Sequence, residues 1–97
     1  MDTDLWKLVS PLVEHRSGAG ATSLNGFVYA SGGYDGETQL NSVERYSPAS
    51  NIWIAVSPLI QRRSALSAAV LCGKLYVVGG YNGRGFLNTL EEYEPGT

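Results

Sequence analysis

The chain has one cysteine, one histidine and few charges, and each scarcity excludes something. Cys72 alone cannot close an internal disulfide, which fits a reducing, cytoplasmic setting. As a free thiol it is expected to be a small buried residue beside the turn at Gly73. His15 alone supplies neither a metal site nor a histidine dyad, and no cysteine pair or close carboxylate pair stands in for it. The chain is therefore read as a non-enzyme with no catalytic residue, no metal and no cofactor, and His15 as a polar residue on an exposed link. Seven Lys and Arg against nine Asp and Glu leave a net charge of -2, with no block of either sign. That argues against nucleic acid and against an anionic membrane surface as partners. The longest apolar stretches, SALSAAVLCG and LYVVGG, are too short to span a membrane, and the opening MDTDLWK is acidic where a secretory leader would be basic and then apolar. A soluble intracellular chain is expected.

What the sequence does have is a repeat. GGYDGETQLNSVERY, residues 32–46, returns as GGYNGRGFLNTLEEY, residues 79–93, at a spacing of 47. The same spacing aligns Trp6 with Trp53, Val9-Ser10-Pro11-Leu12 with Val56-Ser57-Pro58-Leu59, Arg16-Ser17 with Arg63-Ser64, and Pro48 with Pro95. Of 50 aligned pairs 20 are identical, which makes the second half a duplicate of the first.

Within one period the pattern is short strands divided by turn residues, with no sustained helical period. In the second copy Ser64 to Leu71 reads as strand a, Cys72-Gly73 as a tight turn, Lys74 to Gly80 as strand b, and Asn88 to Glu94 as strand c. The first copy adds strand d, Ile52 to Val56, after a loop at residues 47–51. Four antiparallel strands in 47 residues make an all-β propeller blade. Strand a carries small residues, as crowding at a propeller hub requires, while strand d carries Trp6 and Trp53 where a blade is wide. The glycine-dense GGYNGRG is a weak phosphate motif, because neither Lys-Ser/Thr nor a helix follows it. Close packing under an aromatic and positive φ account for the double glycine better.

The strand order along residues 1–97 then runs d, abcd, abc. Residues 1–9 form a d strand that closes a neighbouring blade, residues 16–56 a complete blade, and residues 63–94 a three-stranded partial blade. Each end complements the other, so head-to-tail self-association into a ring with an even number of blades is expected. Boundaries placed this way point to an engineered or excised unit, with a partial gene product as the alternative. The links between d and a share one face of the disc with the loops between b and c. That face carries the longer, more variable loops and is the expected binding face.

Double Gly, Tyr-Asp-Gly or Tyr-Asn-Gly, a spaced Glu-x-Tyr and a Trp together resemble the Kelch repeat, and both copies carry every part. RSGAG, GGYDG, QLNSVERY and RRSAL resemble in particular the oxidative-stress-sensing members of the BTB-Kelch adaptors, which are substrate receptors of cullin-RING ubiquitin ligases. The resemblance implies a six-bladed propeller, hence three chains per ring, with four chains and eight blades as the alternative. It also implies that Ser17, Tyr34, Gln39, Ser64, Tyr81 and Phe86 contact an acidic peptide at the channel mouth. The arginines that clamp such a peptide in those members have no counterpart at these positions, so binding should be weakened. No BTB domain accompanies the repeats, so ligase recruitment is not carried over. Arg16 and Arg63 are expected to brace the blade by pairing with Glu44 and Glu91. Asp2, Asp4 and Glu94 are read as solvated ends, and Asp35 as shaping its turn. The expected function is a self-assembling protein-interaction module with weakened acidic-peptide recognition. A purely structural scaffold, a fragment of a BTB-Kelch substrate receptor and an actin-binding module are the alternatives.

Overall fold

The two-residue turns Asn25-Gly26 and Cys72-Gly73 set the frame of the fold. All four residues have positive φ, at 55°, 84°, 51° and 76°, as the hairpin turn that matches strand twist requires. In the computed structural model, which describes residues 4–96, the first turn joins β1 (Gly20–Leu24) to β2 (Phe27–Ser31). The second joins β5 (Ser67–Leu71) to β6 (Lys74–Val78). β3 (Val43–Ser47) pairs with β2, β4 (Ile52–Val56) with β3, and β7 (Leu90–Tyr93) with β6. The result is two antiparallel sheets, β1-β2-β3-β4 and β5-β6-β7, and no helix among the described residues.

The expected blades are present, with shorter strands. β5 begins at Ser67 and not at Ser64, because Ala65 takes φ 55° and breaks the extended run. β6 stops at Val78 because Gly79 and Gly80 turn away with φ of 70° and 101°. Cys72 is exposed, contrary to expectation. It occupies the first position of a hairpin tip, the place held by Asn25 in the other sheet, where nothing packs over it. Residues 4–9 form no strand here and are exposed. The strand expected over residues 1–9 falls partly outside the described residues, at residues 1–3.

The sheets meet through their first strands, β1 lying beside β5 and β6. Gly20 makes this approach possible, since a Cβ there would lie 3.1 Å from Leu66 Cγ and 3.3 Å from Ala68 Cβ. At Gly20 a small residue of strand a thus answers to crowding by the second copy. Leu24, Tyr29, Val43, Leu66, Leu75 and Val77 form the buried core between the sheets. Each such side chain contributes about 1.5–3 kcal/mol when fully buried. Tyr93 of β7 meets Tyr29 edge-on at 5.9 Å, closing the core on its outer side.

The arginine braces form as expected and reach further than an ion pair. Arg16 Nε donates to Glu44 at 3.0 Å, Nη1 to the carbonyls of Gly32 and Ser42 at 2.8 Å each, and Nη2 to Ser42 Oγ at 2.9 Å and Glu14 at 3.3 Å. Glu44 in turn accepts the N–H groups of Val13 and Glu14 at 2.7 and 3.1 Å. One guanidinium and one carboxylate thereby fasten the link before β1 to strands β2 and β3.

Candidate functional site

Register decides which loops share a face. At one end of the first sheet Ser31, Val43 and Val56 lie side by side, and at the other Val28, Tyr46 and Trp53. The β2–β3 loop and the links leading to β1 and β5 therefore project from the first end, and the β3–β4 turn with Ser50 from the second.

On the loop face the six expected site residues fall into two trios. Ser17 and Tyr34 exchange backbone hydrogen bonds, Ser17 N–H to Tyr34 O at 2.9 Å and Tyr34 N–H to Ser17 O at 2.8 Å, and Tyr34 bridges on to Gln39. Ser64, Tyr81 and Phe86 repeat the arrangement, with bonds of 2.9 and 2.8 Å between the first two. The double glycine explains why each trio is compact. Gly33 and Gly80 accept the Leu40 and Leu87 N–H groups at 2.7 Å each, folding the loop back on itself. Tyr34 donates its hydroxyl to Gly36 O at 3.0 Å, which holds the ring at the loop surface. The Tyr81 and Phe86 rings lie 5.4 Å apart at 52°, with Phe86 90% exposed. The trios meet where the Gln39 amide oxygen lies against the Gly83 backbone of the second loop.

The tip of each loop is shaped by one acceptor oxygen. Asp35 Oδ1 takes the N–H groups of Thr38 and Glu37 at 2.9 Å each, and these bonds, Thr38 first, hold its carboxyl below the usual carboxylate range. A carboxyl with lowered folded pKa stabilises its loop above the unfolded value, and that support is lost as pH falls through the folded one. Asn82 does the same work for Arg84 and Gly85, at 2.8 and 3.0 Å, with no proton to gain.

Two cations at this face were missed in the sequence. Arg62, the counterpart of His15, is exposed and donates Nη1 to Gln39 O at 3.0 Å, joining the second link to the first loop. Arg84 is exposed at the tip of the second loop. The signal that could have found them is the repeat itself, because both stand where the two copies differ in charge. With hydroxyls, a carboxamide, three aromatic rings and two guanidinium groups, the face can offer donors to carboxylates and stacking area to apolar side chains. Among the described residues no cluster of His, Cys, Asp and Glu is suited to hold a metal ion.

Comparison with known proteins agrees with this architecture. Human Kelch-like protein 23 is 40% identical over 48 residues, which cover 47% of this chain and 9% of that protein. Kelch-like protein 1 of Mus musculus is 46% identical over 41 residues, covering 42% of this chain and 6% of that one. A solved structure described as "Structure of YjhT" superposes with a TM-score of 0.76 and 26% identity, over 80% of this chain and 25% of that chain. The chain thus corresponds to a small share of each relative's length. The Kelch motif matches residues 15–60 and 62–97, one match for each sheet with its loops. The chain belongs to the Kelch motif family.

Proposed function

We propose that the chain is a protein-interaction module that recognises acidic peptide segments at its loop face and assembles head to tail with copies of itself, three to a six-bladed ring. The observation that carries the recognition reading is the junction of the two loops. There the Gln39 side chain fills the space beside Gly83 and its carbonyl is held by Arg62, so that a cationic and an amide group of the two blades meet. Arg62 uses one N–H on the Gln39 carbonyl and stands exposed, and a charge-assisted bond from it to a peptide carboxylate is worth roughly 1.5–3 kcal/mol before desolvation. The assembly reading is supported by the outer edge of β7, which pairs with no strand among the described residues and so presents free backbone groups.

Titration of a fluorescently labelled acidic peptide tests the recognition reading. Arg62→Ala is expected to weaken binding by about tenfold, and Tyr34→Ala and Tyr81→Ala to weaken it through lost stacking area. Gln39→Arg and Ser17→Arg are expected to tighten it. Ser50→Arg, at the opposite end of the sheet, should leave it unchanged. Equal effects of Ser50→Arg and Gln39→Arg would move the site to the other face. No saturable binding at millimolar peptide would leave the alternative, a scaffold that assembles and binds nothing specific.

A further inference from the structure

In the first sheet an outer strand with a tryptophan is fully docked, and its contacts are specific. Trp53 of β4 stands opposite Tyr46 with the rings 5.1 Å apart, and its Nε1 donates to the Ser10 carbonyl at 2.8 Å. Asn51 completes the arrangement. Its Oδ1 accepts Ser10 N–H at 3.0 Å and the Tyr46 hydroxyl at 2.8 Å, and its carbonyl accepts the Ser10 hydroxyl at 2.7 Å.

A step of 47 residues forward reproduces the receiving half of this joint as Ser57 and Tyr93. There, among the described residues, no strand lies on the outer edge of β7, and Leu90 is 60% exposed. A cleft opens between the sheets, lined by Ser57, Pro58, Leu59, Glu91 and Tyr93 among others. A step of 47 residues back from the donating half, Asn51 and Ile52–Val56, gives Asp4 and residues 5–9. In this structure Leu5, Trp6 and Leu8 stand in solvent, Trp6 completely.

We propose that residues 4–9 of a second copy of this chain dock as the outer strand on β7, with Trp6 against Tyr93 and its Nε1 donating to the Ser57 carbonyl. This rests on the assembly reading above and gives it an interface. With the register of β3 and β4, Trp6 falls opposite Tyr93, Lys7 opposite Glu92, and Val9 opposite Leu90. Acid thus meets base at Glu92, which Lys74 and Tyr76 already hold at the sheet surface, and apolar meets apolar at the other two pairs, while Leu8 falls opposite Glu91 as Ala55 does opposite Glu44. Asp4 takes the place of Asn51, whose side chain acts only through its acceptor oxygen, so a carboxylate serves Ser57 N–H and the Tyr93 hydroxyl as the amide does. Asp also tolerates the left-handed backbone that Asn51 adopts at φ 56°. The chain beyond the strand fits as well. Leu59 and Arg63 donate their N–H groups to the carbonyls of Asn41 and Leu40 at 2.7 and 3.1 Å. Leu12 and Arg16 of the incoming copy would do the same to Asn88 and Leu87. The contact uses different surfaces on its two sides, so it repeats until a ring closes.

Native mass spectrometry and sedimentation of the 97-residue chain and its variants test the joint. The unaltered protein is expected at three copies. Trp6→Ala is expected to weaken assembly at least about 30-fold, as loss of a central aromatic anchor does. It should leave the far-UV circular dichroism of the single chain unchanged, since Trp6 touches nothing within it. Lys7→Glu and Glu92→Lys are each expected to weaken assembly by about two- to fivefold, and the double variant to restore it. Asp4→Asn should assemble normally and Asp4→Ala poorly. A wild-type protein that stays monomeric at micromolar concentration overturns both the docking and the assembly reading, leaving β7 to a different partner. A wild-type oligomer indifferent to Trp6→Ala and to the charge reversals keeps the assembly reading and overturns this joint.

Discussion

Replacing Arg63 by alanine is expected to lower stability by about 3–5 kcal/mol, the usual consequence of removing one partner of a buried ion pair. For a domain whose whole stability is roughly 5–15 kcal/mol this is a large share. The side chain is fully buried, and all five of its N–H groups are in use. Nε reaches Glu91 at 3.0 Å, Nη1 the carbonyls of Gly79 and Thr89 at 2.9 Å each, and Nη2 Gln61 Oε1 at 3.2 Å and Thr89 Oγ1 at 2.8 Å. Glu91 also accepts the N–H groups of Ile60 and Gln61 at 2.6 and 3.1 Å, which seats the link between the sheets. Alanine would leave a carboxylate and two carbonyls short of donors. Lysine offers three donors from one point and cannot reproduce the fork, so Arg63→Lys should recover only part of the loss. Arg63→Met with Glu91→Met should not restore stability, because the two link amides then lose their acceptor. Urea unfolding of each variant measures these differences. A change under about 1 kcal/mol in Arg63→Ala would show that water replaces the brace and that the link is held by other contacts.

The brace also marks the boundary of what the sequence discloses. Arg16 and Arg63 stand 47 residues apart, as do Glu44 and Glu91, so the pairing of each Arg with its Glu is legible from the repeat. The second use of each carboxylate, as acceptor for amides of the preceding link, is not. It depends on a backbone path through Val13-Glu14 and Ile60-Gln61 that no side-chain pattern announces. Turn chemistry is legible where glycine follows a turn former, as at Asn25-Gly26. Cys72-Gly73 was read for its turn, while the exposure of Cys72 that the same turn enforces was not. β4 falls where the loop at residues 47–51 places it, whereas β5 is cut short by the left-handed Ala65, whose only sequence signal is the glycine at the matching position of the first copy, Gly18 with φ 64°. The six loop-face residues follow from the family resemblance, but the hold of Arg62 on Gln39 crosses between repeats, and a search for like positions passes over it.

Gly80→Ala is expected to lower stability by about 3 kcal/mol or more, and the melting temperature by at least about 10 °C. Two causes add. The residue has φ 101°, a conformation nearly closed to any side chain. A Cβ would also lie 2.6 Å from the Ser64 carbonyl oxygen and 3.3 Å from Leu66 Cβ, neither of which can swing aside as a flexible side-chain tip could. The carbonyl is fixed because it accepts Tyr81 N–H at 2.8 Å, while Ser64 N–H donates to Tyr81 O at 2.9 Å. Relieving the clash therefore pulls apart the pair that positions Tyr81 and, through it, the Phe86 ring. Gly26→Ala separates the two causes. Its φ is 84° and a Cβ there meets nothing within 4 Å, so it carries the backbone strain without the collision. It should cost about 1–2 kcal/mol and leave the loop face intact. Thermal unfolding of both variants, with peptide titration of whatever remains folded, provides the comparison. Equal losses would mean that strain alone keeps alanine out of position 80, and that the approach of Ser64 to the double glycine has slack enough for a methyl group.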